Sequence, residues 1–251
     1  MAEDDDLPGR ESDGRNLTYG LLELLGRAIV TGHYSDRPFP TEAGLAAHHG
    51  VSRSVTREAV KMLTAKGLLT ARPRKGTVVQ PVDHWNLFDT DVLRWLLERK
   101  FSLQLLRHFN DLRVAIEPAA AALAARSPDP LRIAEIAAGY DRMAAAELGQ
   151  DDPLDADIAF HVAILKASGN PFYMQFRDLV TTALRTSIRF TNSIQGRTAS
   201  LPQHHAVLRA IAARDPASAS RAMVALIEDV LKLISAAEAG AIVTASGPAA
   251  R

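Results

Sequence analysis

The chain has 251 residues, a formal net charge of zero and no cysteine. That length suits two domains that each bury a core, and the missing thiols exclude disulfides and thiolate metal sites. No apolar run reaches the roughly 20 residues that span a bilayer, and the N-terminal region lacks the apolar core of a signal peptide; the expectation is a soluble, cytoplasmic protein with no membrane partner.

The first sixteen residues are acidic (net −4) and almost devoid of apolar side chains, which predicts a disordered arm over residues 1–16. Residues 17–80 carry net +5, the one basic segment of the chain, and Lys and Arg so concentrated suit phosphate contact, although a solvated surface would look the same. Within that segment Leu21, Leu24, Leu25, Ala28 and Ile29 repeat at helical spacing up to Gly32. Thr41-Glu42 opens a short second helix that ends near Gly50. Ser52 then caps a third, running to about Lys66, with Val51, Val55, Ala59, Met62 and Leu63 on its apolar side and Ser52, Arg53, Ser54, Arg57 and Lys61 on its open side. Leu68–Ala71 and Gly76–Val79 read as two short strands joined by the basic tip Arg72-Pro73-Arg74-Lys75. Three helices and such a hairpin make a winged helix-turn-helix domain over 17–80. A linker is expected over 81–90, with Asp89 or Thr90 capping the helix after it, and then an all-α bundle over 91–238 with helices at about 102–126, 130–148, 153–168, 172–191, 201–213 and 216–238. Residues 239–251, rich in Ala, Gly and Ser, are expected to be a disordered tail. The fold class is mainly α.

The runs Phe39-Pro40-Thr41-Glu42, Leu45-Ala46, Gly50-Val51-Ser52-Arg53, Arg57-Glu58-Ala59-Val60, Gly67-Leu68-Leu69 and Gly76-Thr77-Val78-Val79 resemble the N-terminal domain of the GntR family of bacterial regulators. Asp111-Leu112-Arg113 through Glu117-Pro118, Asp157-Ile158-Ala159-Phe160-His161, Ala167-Ser168-Gly169-Asn170-Pro171 and His204 resemble the ligand-binding (FCD) domain of its FadR subfamily. The segment Trp85-Asn86 with Asp89–Trp95 resembles the linker of the galactonate-operon repressor group. The resemblance covers roughly residues 17–237. It implies a homodimer that binds a double-stranded DNA operator and answers to a small carboxylate or sugar-acid effector. In one respect the chain departs from it: Ala43 stands where many members have Arg, which puts more of the base reading on Arg53 and Arg57.

Arg53 and Arg57 lie one turn apart, and the planar guanidinium fork matches the O6 and N7 acceptors of guanine. Arg53 is expected to read bases, with Ser52, Ser54 and Arg57 reading or holding phosphates and Thr41 in the same contact set. Arg72, Arg74, Lys75 and Gly76 on the wing are expected at phosphate or the minor groove, against the reading of an ordinary polar turn.

Asp157 and His161 are four apart on one helical face, which by itself is more often a hydrogen-bonded pair than a metal site. The resemblance adds His204 opposite them and implies a divalent metal in the bundle core, with a further His about one helix later; here that last position is Leu226. His205 points about 100° away from His204 on a helix and is a poor substitute. Two readings stand: Asp157, His161 and His204 hold a metal, zinc before others, with an open position for water or a chelating hydroxy acid, or the pocket is metal-free and the imidazoles bond the effector directly. Arg113 is expected to clamp an effector carboxylate or to form a structural salt bridge with Glu117 or Asp157. Arg185, with Thr182 and Arg189, is expected to contact effector hydroxyls. The effector set is thus Arg113, Asp157, His161, Arg185 and His204. Trp85, Phe88, Trp95 and Tyr140 are expected in packing, and His33, His48, His49, His84 and His108 have no partner pattern.

The sequence reads as a ligand-responsive regulator of transcription, a repressor of sugar-acid or other carboxylate catabolism, and not an enzyme. Two rivals are a metal-dependent hydrolase using Asp157, His161 and His204, for which no general base is evident, and an architectural DNA-binding protein whose bundle only dimerises.

Overall fold

Leu21, Leu22, Leu25 and Ile29 form a buried stripe along the first helix, and the N-terminal half folds around it. The computed structural model describes residues 10–72, 76–99, 103–127, 129–185 and 200–245 of a chain that divides into a unit of residues 1–100 and a unit of residues 101–251. In the first unit α1 (Arg10–Val30) packs on α3 (Arg53–Ala65), which also packs on α2 (Glu42–His49). The apolar stripe of α3, Ala59, Val60 and Leu63, closes that core together with Leu45, Leu68 and Leu69. Two antiparallel strands come next, β1 (Leu69–Arg72) and β2 (Gly76–Val79), in a register that pairs Leu69 with Val79 and Arg72 with Gly76. The winged helix-turn-helix expected over 17–80 is therefore present. At Gly67 the backbone has φ 78° and a Cβ would lie 2.3 Å from the carbonyl oxygen of His84, so only glycine fits where the chain returns against the end of α3.

The second unit is a helical bundle. It consists of α5 (Leu103–Ala125), α6 (Pro130–Glu147), α7 (Pro153–Ala167), the short α8 (Pro171–Met174), α9 (residues 177–185), α10 (Leu201–Ala212) and α11 (Pro216–Ala245). α5 lies along α11 and α7, α6 along α7, and α10 against α6 and α11. Its core is built from Ala120, Ala121 and Ala124 of α5, Ile136 and Met143 of α6, Phe160, Ile164 and Leu165 of α7, and Val207, Ile211, Met223 and Ile227 beyond them. α6 and α7 come close at Gly139, where a Cβ would stand 2.9 Å from the Cα of Phe160. That contact fixes the helix carrying Asp157 and His161. Among the described residues no helix is long and apolar enough to cross a membrane.

Four sequence expectations are corrected. The arm expected over 1–16 is helical from Arg10, because a helix already nucleated by the buried stripe gains one hydrogen bond for each residue added. The tail expected from 239 is helical to Ala245, since its Ala-rich run favours continuation. The helix expected over 172–191 is broken into α8 and α9 by a turn at 175–176, and residues 186–199 lie outside the described residues. The most consequential concerns α4 (Thr90–Arg99), assigned by sequence to the bundle. It belongs to the first unit. Its Trp95 is buried against α1 at Gly26, where a Cβ would come within 2.3 Å of the indole, and its Nε1 donates to the Glu23 carboxylate at 2.9 Å.

Candidate functional site

Two sites are distinguishable, one in each unit. In the first, Ser52 caps α3 in extended backbone geometry, its hydroxyl accepting from the Val55 amide at 3.2 Å, and Thr41 caps α2 by accepting from the Gly44 amide at 3.1 Å. Both hydroxyls thus orient helix starts as well as lying exposed at the surface. Burial of Thr56, Ala59, Val60 and Leu63 turns Arg53, Ser54 and Arg57 outward, all three exposed. Among the described residues Arg53 has no ion-pair partner, while Arg57 stands 3.9 Å from the Glu42 carboxylate with both side chains largely in water, a pairing too weak to hold it. Arg72 is exposed at the end of β1 and Gly76 at the start of β2; Arg74 and Lys75 lie outside the described residues. The fold offers here a capped helix whose outer face is short, hydroxylic and cationic, beside a hairpin.

In the bundle, α5, α7 and α10 bring five ionisable side chains into one cluster: Arg113 and Glu117, Asp157 and His161, and His204, none more than 4% exposed. Arg113 donates from Nε to Glu117 Oε1 at 2.5 Å and from Nη1 to Asn110 Oδ1 at 3.2 Å. His161 Nδ1 is 2.5 Å from Glu117 Oε2, and His204 Nδ1 is 2.8 Å from the carbonyl oxygen of Ser200. Both partners only accept, so both Nδ1 atoms carry the proton and, in the neutral imidazoles, both Nε2 atoms present lone pairs. These two Nε2 atoms face one carboxylate. His204 Nε2 lies 2.9 Å from Asp157 Oδ1 and His161 Nε2 lies 3.9 Å from the same oxygen. The His204 contact is close but not aligned as a hydrogen bond, which leaves a buried nitrogen without a partner. Arg113 Nη2 lies 3.3 Å from His161 Nε2, whereas the His204 lone pair meets the carboxylate with no donor, which is repulsive unless a cation lies between them.

That donor set fits a metal ion. The three ligand atoms lie within 4.8 Å of one another, a spread that modest tightening turns into a shell with bonds of about 2 Å. Each imidazole is also oriented through its other nitrogen by a carboxylate or carbonyl, the arrangement that fixes tautomer and direction in histidine ligands. Burial pushes the Glu117 carboxyl up, but the charges and hydrogen bonds of Arg113 and His161 outweigh it and bring it down to about 2. Burial likewise opposes ionisation of Asp157, and the His204 and His161 contacts together with the Arg113 charge outweigh it, so this carboxyl too lies below its ordinary range.

Other expectations land elsewhere. Arg185 is not part of the cluster: its side chain is about half exposed and pairs with Asp155 at 2.7 Å on the surface. Helical periodicity puts it on a candidate face without fixing which way that face turns. Thr182 donates to the Asp178 carbonyl oxygen, and Arg189 lies outside the described residues. His205 is exposed and its ring meets Tyr140 at 5.4 Å, away from His204, as its 100° offset requires. Leu226 is buried in the apolar core. Sequence reasoning missed the role of Glu117 as the partner orienting His161, and of Ser200 for His204; a carboxylate four residues after a buried Arg was the available signal for the first.

Residues 20–79 match the bacterial regulatory proteins of the gntR family, and residues 109–229 match the FCD domain. The chain is 35% identical over 216 residues to the HTH-type transcriptional regulator YieP of Escherichia coli (strain K12), covering 85% of this chain and 93% of the relative. It is 32% identical over 217 residues to the galactonate operon transcriptional repressor of the same organism, covering 84% and 94%. Among solved structures, the Listeria monocytogenes protein Lar, which controls expression of the agr system, matches in fold with a TM-score of 0.58 at 20% identity, over 87% of this chain and 96% of that one. A winged reading head and a bundle with a buried Asp-His-His cluster, matched along most of their length by these regulators, place the chain in the GntR family as a transcriptional regulator with a C-terminal FCD domain, and not an enzyme.

Proposed function

We propose that the chain is a homodimeric repressor released from its operator by a small carboxylate, a sugar acid of the galactonate type foremost, bound with a divalent metal, zinc before others, at Asp157, His161 and His204. The observation that carries this is the buried, unpartnered His204 Nε2 at 2.9 Å from Asp157 Oδ1, with His161 Nε2 3.9 Å from the same oxygen. Charge supports it further. With neutral imidazoles the cluster sums to one negative charge, because Glu117 already neutralises Arg113. A carboxylate entering it alone would be repelled, and a divalent ion reverses the sign. With Leu226 in place of a fourth ligand, the ion keeps positions open for a chelating hydroxy acid. The arrangement favours the structural reading of Arg113 over that of a free carboxylate clamp. On the DNA side Arg53, Ser54 and Arg57 enter the major groove, with Thr41, Ser52 and the wing on phosphates; two heads related by a dimer axis read two half-sites. The repressor of the galactonate operon, similar along 94% of its length, supports this effector class and sign of regulation.

Thermal denaturation of the full chain tests the ligand reading. With zinc and a galactonate or gluconate concentration about a hundred times its Kd, the midpoint should rise by roughly 5–10 °C, and the rise should vanish in chelator and in His204→Ala. An equal rise after chelation would remove the metal from the account and leave direct hydrogen bonding to the imidazoles. No rise with any acid of the panel would favour a bundle that only dimerises.

A further inference from the structure

The strongest unassigned feature is a charge network in the first unit, joining three helices that are far apart in sequence. Lys66, the C-cap of the helix that carries Arg53, sends its ammonium into the two carboxylates at the start of α4, 2.8 Å from Asp89 and 2.8 Å from Asp91. Asp89 at the same time caps α4, accepting from the amides of Asp91 and Val92 at 3.0 and 3.2 Å. One turn further on, Arg94 reaches back to Asp91 at 3.1 Å and across to Glu23 of α1 at 2.7 Å, where Trp95 Nε1 also donates. Both cations stand over the Trp95 ring, Lys66 Nζ at 6.0 Å and the Arg94 guanidinium at 5.9 Å from its centroid, attractive distances for a ring face. Backbone bonds tighten the same joint: the Asn86 amide donates to the Lys66 carbonyl oxygen at 3.0 Å, and the Trp85 indole donates to the Gln80 carbonyl oxygen at 2.8 Å. The Lys66 side chain is only 12% exposed, so these contacts are less screened than surface pairs.

We propose that this network is a clasp that makes α4 part of the reading head, so that a displacement arriving at the end of α4 is delivered to α3 whole instead of being absorbed between residues 80 and 90. Three residues of chain separate α4 from α5, and α5 is the helix that carries Arg113 and Glu117 of the buried cluster. From Leu103 to Glu117 it is one continuous helical rod of about 20 Å. A ligand that repacks the cluster acts on this rod, and the clasp makes α1, α3 and α4 move as a unit. The sign and opposition of charges matter more than their net strength: one ammonium holds two carboxylates that would otherwise repel each other at the first turn of α4. The inference deepens the regulatory reading above and rests on it for its biological use, but its test needs neither effector nor DNA.

Hydrogen exchange in the full-length chain reads the joint directly. In the wild type the amides of α4 from Val92 to Leu97 should exchange at protection within about threefold of those of α3 from Val60 to Leu63, because both open only when the head unfolds. Lys66→Met should release α4 alone, making its amides exchange at least tenfold faster than those of α3, and Lys66→Arg should restore the match. A merely structural lysine would lower protection of both helices together and leave their ratio unchanged, which would overturn the proposal. So would a wild-type α4 that already exchanges far faster than α3.

Discussion

Arg53→Ala is expected to weaken binding to the operator by roughly 30-fold to 10⁴-fold while leaving helix content and melting temperature unchanged. Its guanidinium is exposed at the first turn of α3 and, among the described residues, has no ion-pair partner, so truncation removes no contact that the fold depends on. A bidentate contact to guanine is worth about 1–3 kcal/mol, and the proposed two-fold symmetric dimer would make it twice, giving about 2–6 kcal/mol in all. An operator selected from random DNA and titrated by fluorescence anisotropy provides the measurement. Loss confined to affinity for the selected sequence, with non-specific binding retained, identifies Arg53 as a base reader. A variant that still prefers the selected sequence would transfer that role to Arg57 or Ser54.

Glu117→Gln is expected to destabilise the bundle by about 3–5 kcal/mol, because it leaves the Arg113 guanidinium buried without its counter-charge. The same substitution loosens His161, whose Nδ1 donates to that carboxylate. Urea unfolding would show the loss, and Arg113→Met combined with Glu117→Leu should recover most of it, as apolar replacements of buried ion pairs commonly do. The pair also sets an acid limit. Glu117 has its carboxyl lowered from its ordinary value of 4.5 to about 2 in the folded state. Its contribution to stability is therefore complete above about pH 4.5 and is lost as the pH falls from there toward 2. Stability measured from pH 6 to pH 3 should decline more steeply in the wild type than in the doubly apolar variant. Parallel declines would mean that Glu117 is not held in its charged form by these neighbours.

Legible and illegible features of the sequence divide along a physical line. The capped start of α3 was legible because its determinants are local: Ser52 as cap, the apolar spacing of Ala59, Val60 and Leu63, and Gly67 at a position that no other residue can occupy. Asp157 with His161 was legible as a helical pair, and His204 only through family resemblance, since nothing in spacing tells which helices will meet. The allegiance of α4 was not legible. It is decided by Trp95 lying over Gly26 and by Glu23 accepting from residues more than seventy positions away, contacts that leave no periodic trace. Arg185 lies apart from the buried cluster for a related reason: a helical face is readable in phase but not in direction, and this one turns its Arg to Asp155. Residues 81–90 read as a linker, yet Asn86 and Asp89 within them are tied to Lys66 at the end of α3.

On the proposed function, occupancy of the buried cluster controls the reading head. The most direct measurement is operator affinity of the chain with zinc present, with and without a sugar acid, in the wild type and in Asp157→Asn. A coupling of about 1–3 kcal/mol predicts a fall of roughly 5-fold to 150-fold in wild-type affinity on adding the acid, and no change in the variant. A wild-type affinity unmoved by every acid tried, or a response kept in full by Asp157→Asn, would contradict it.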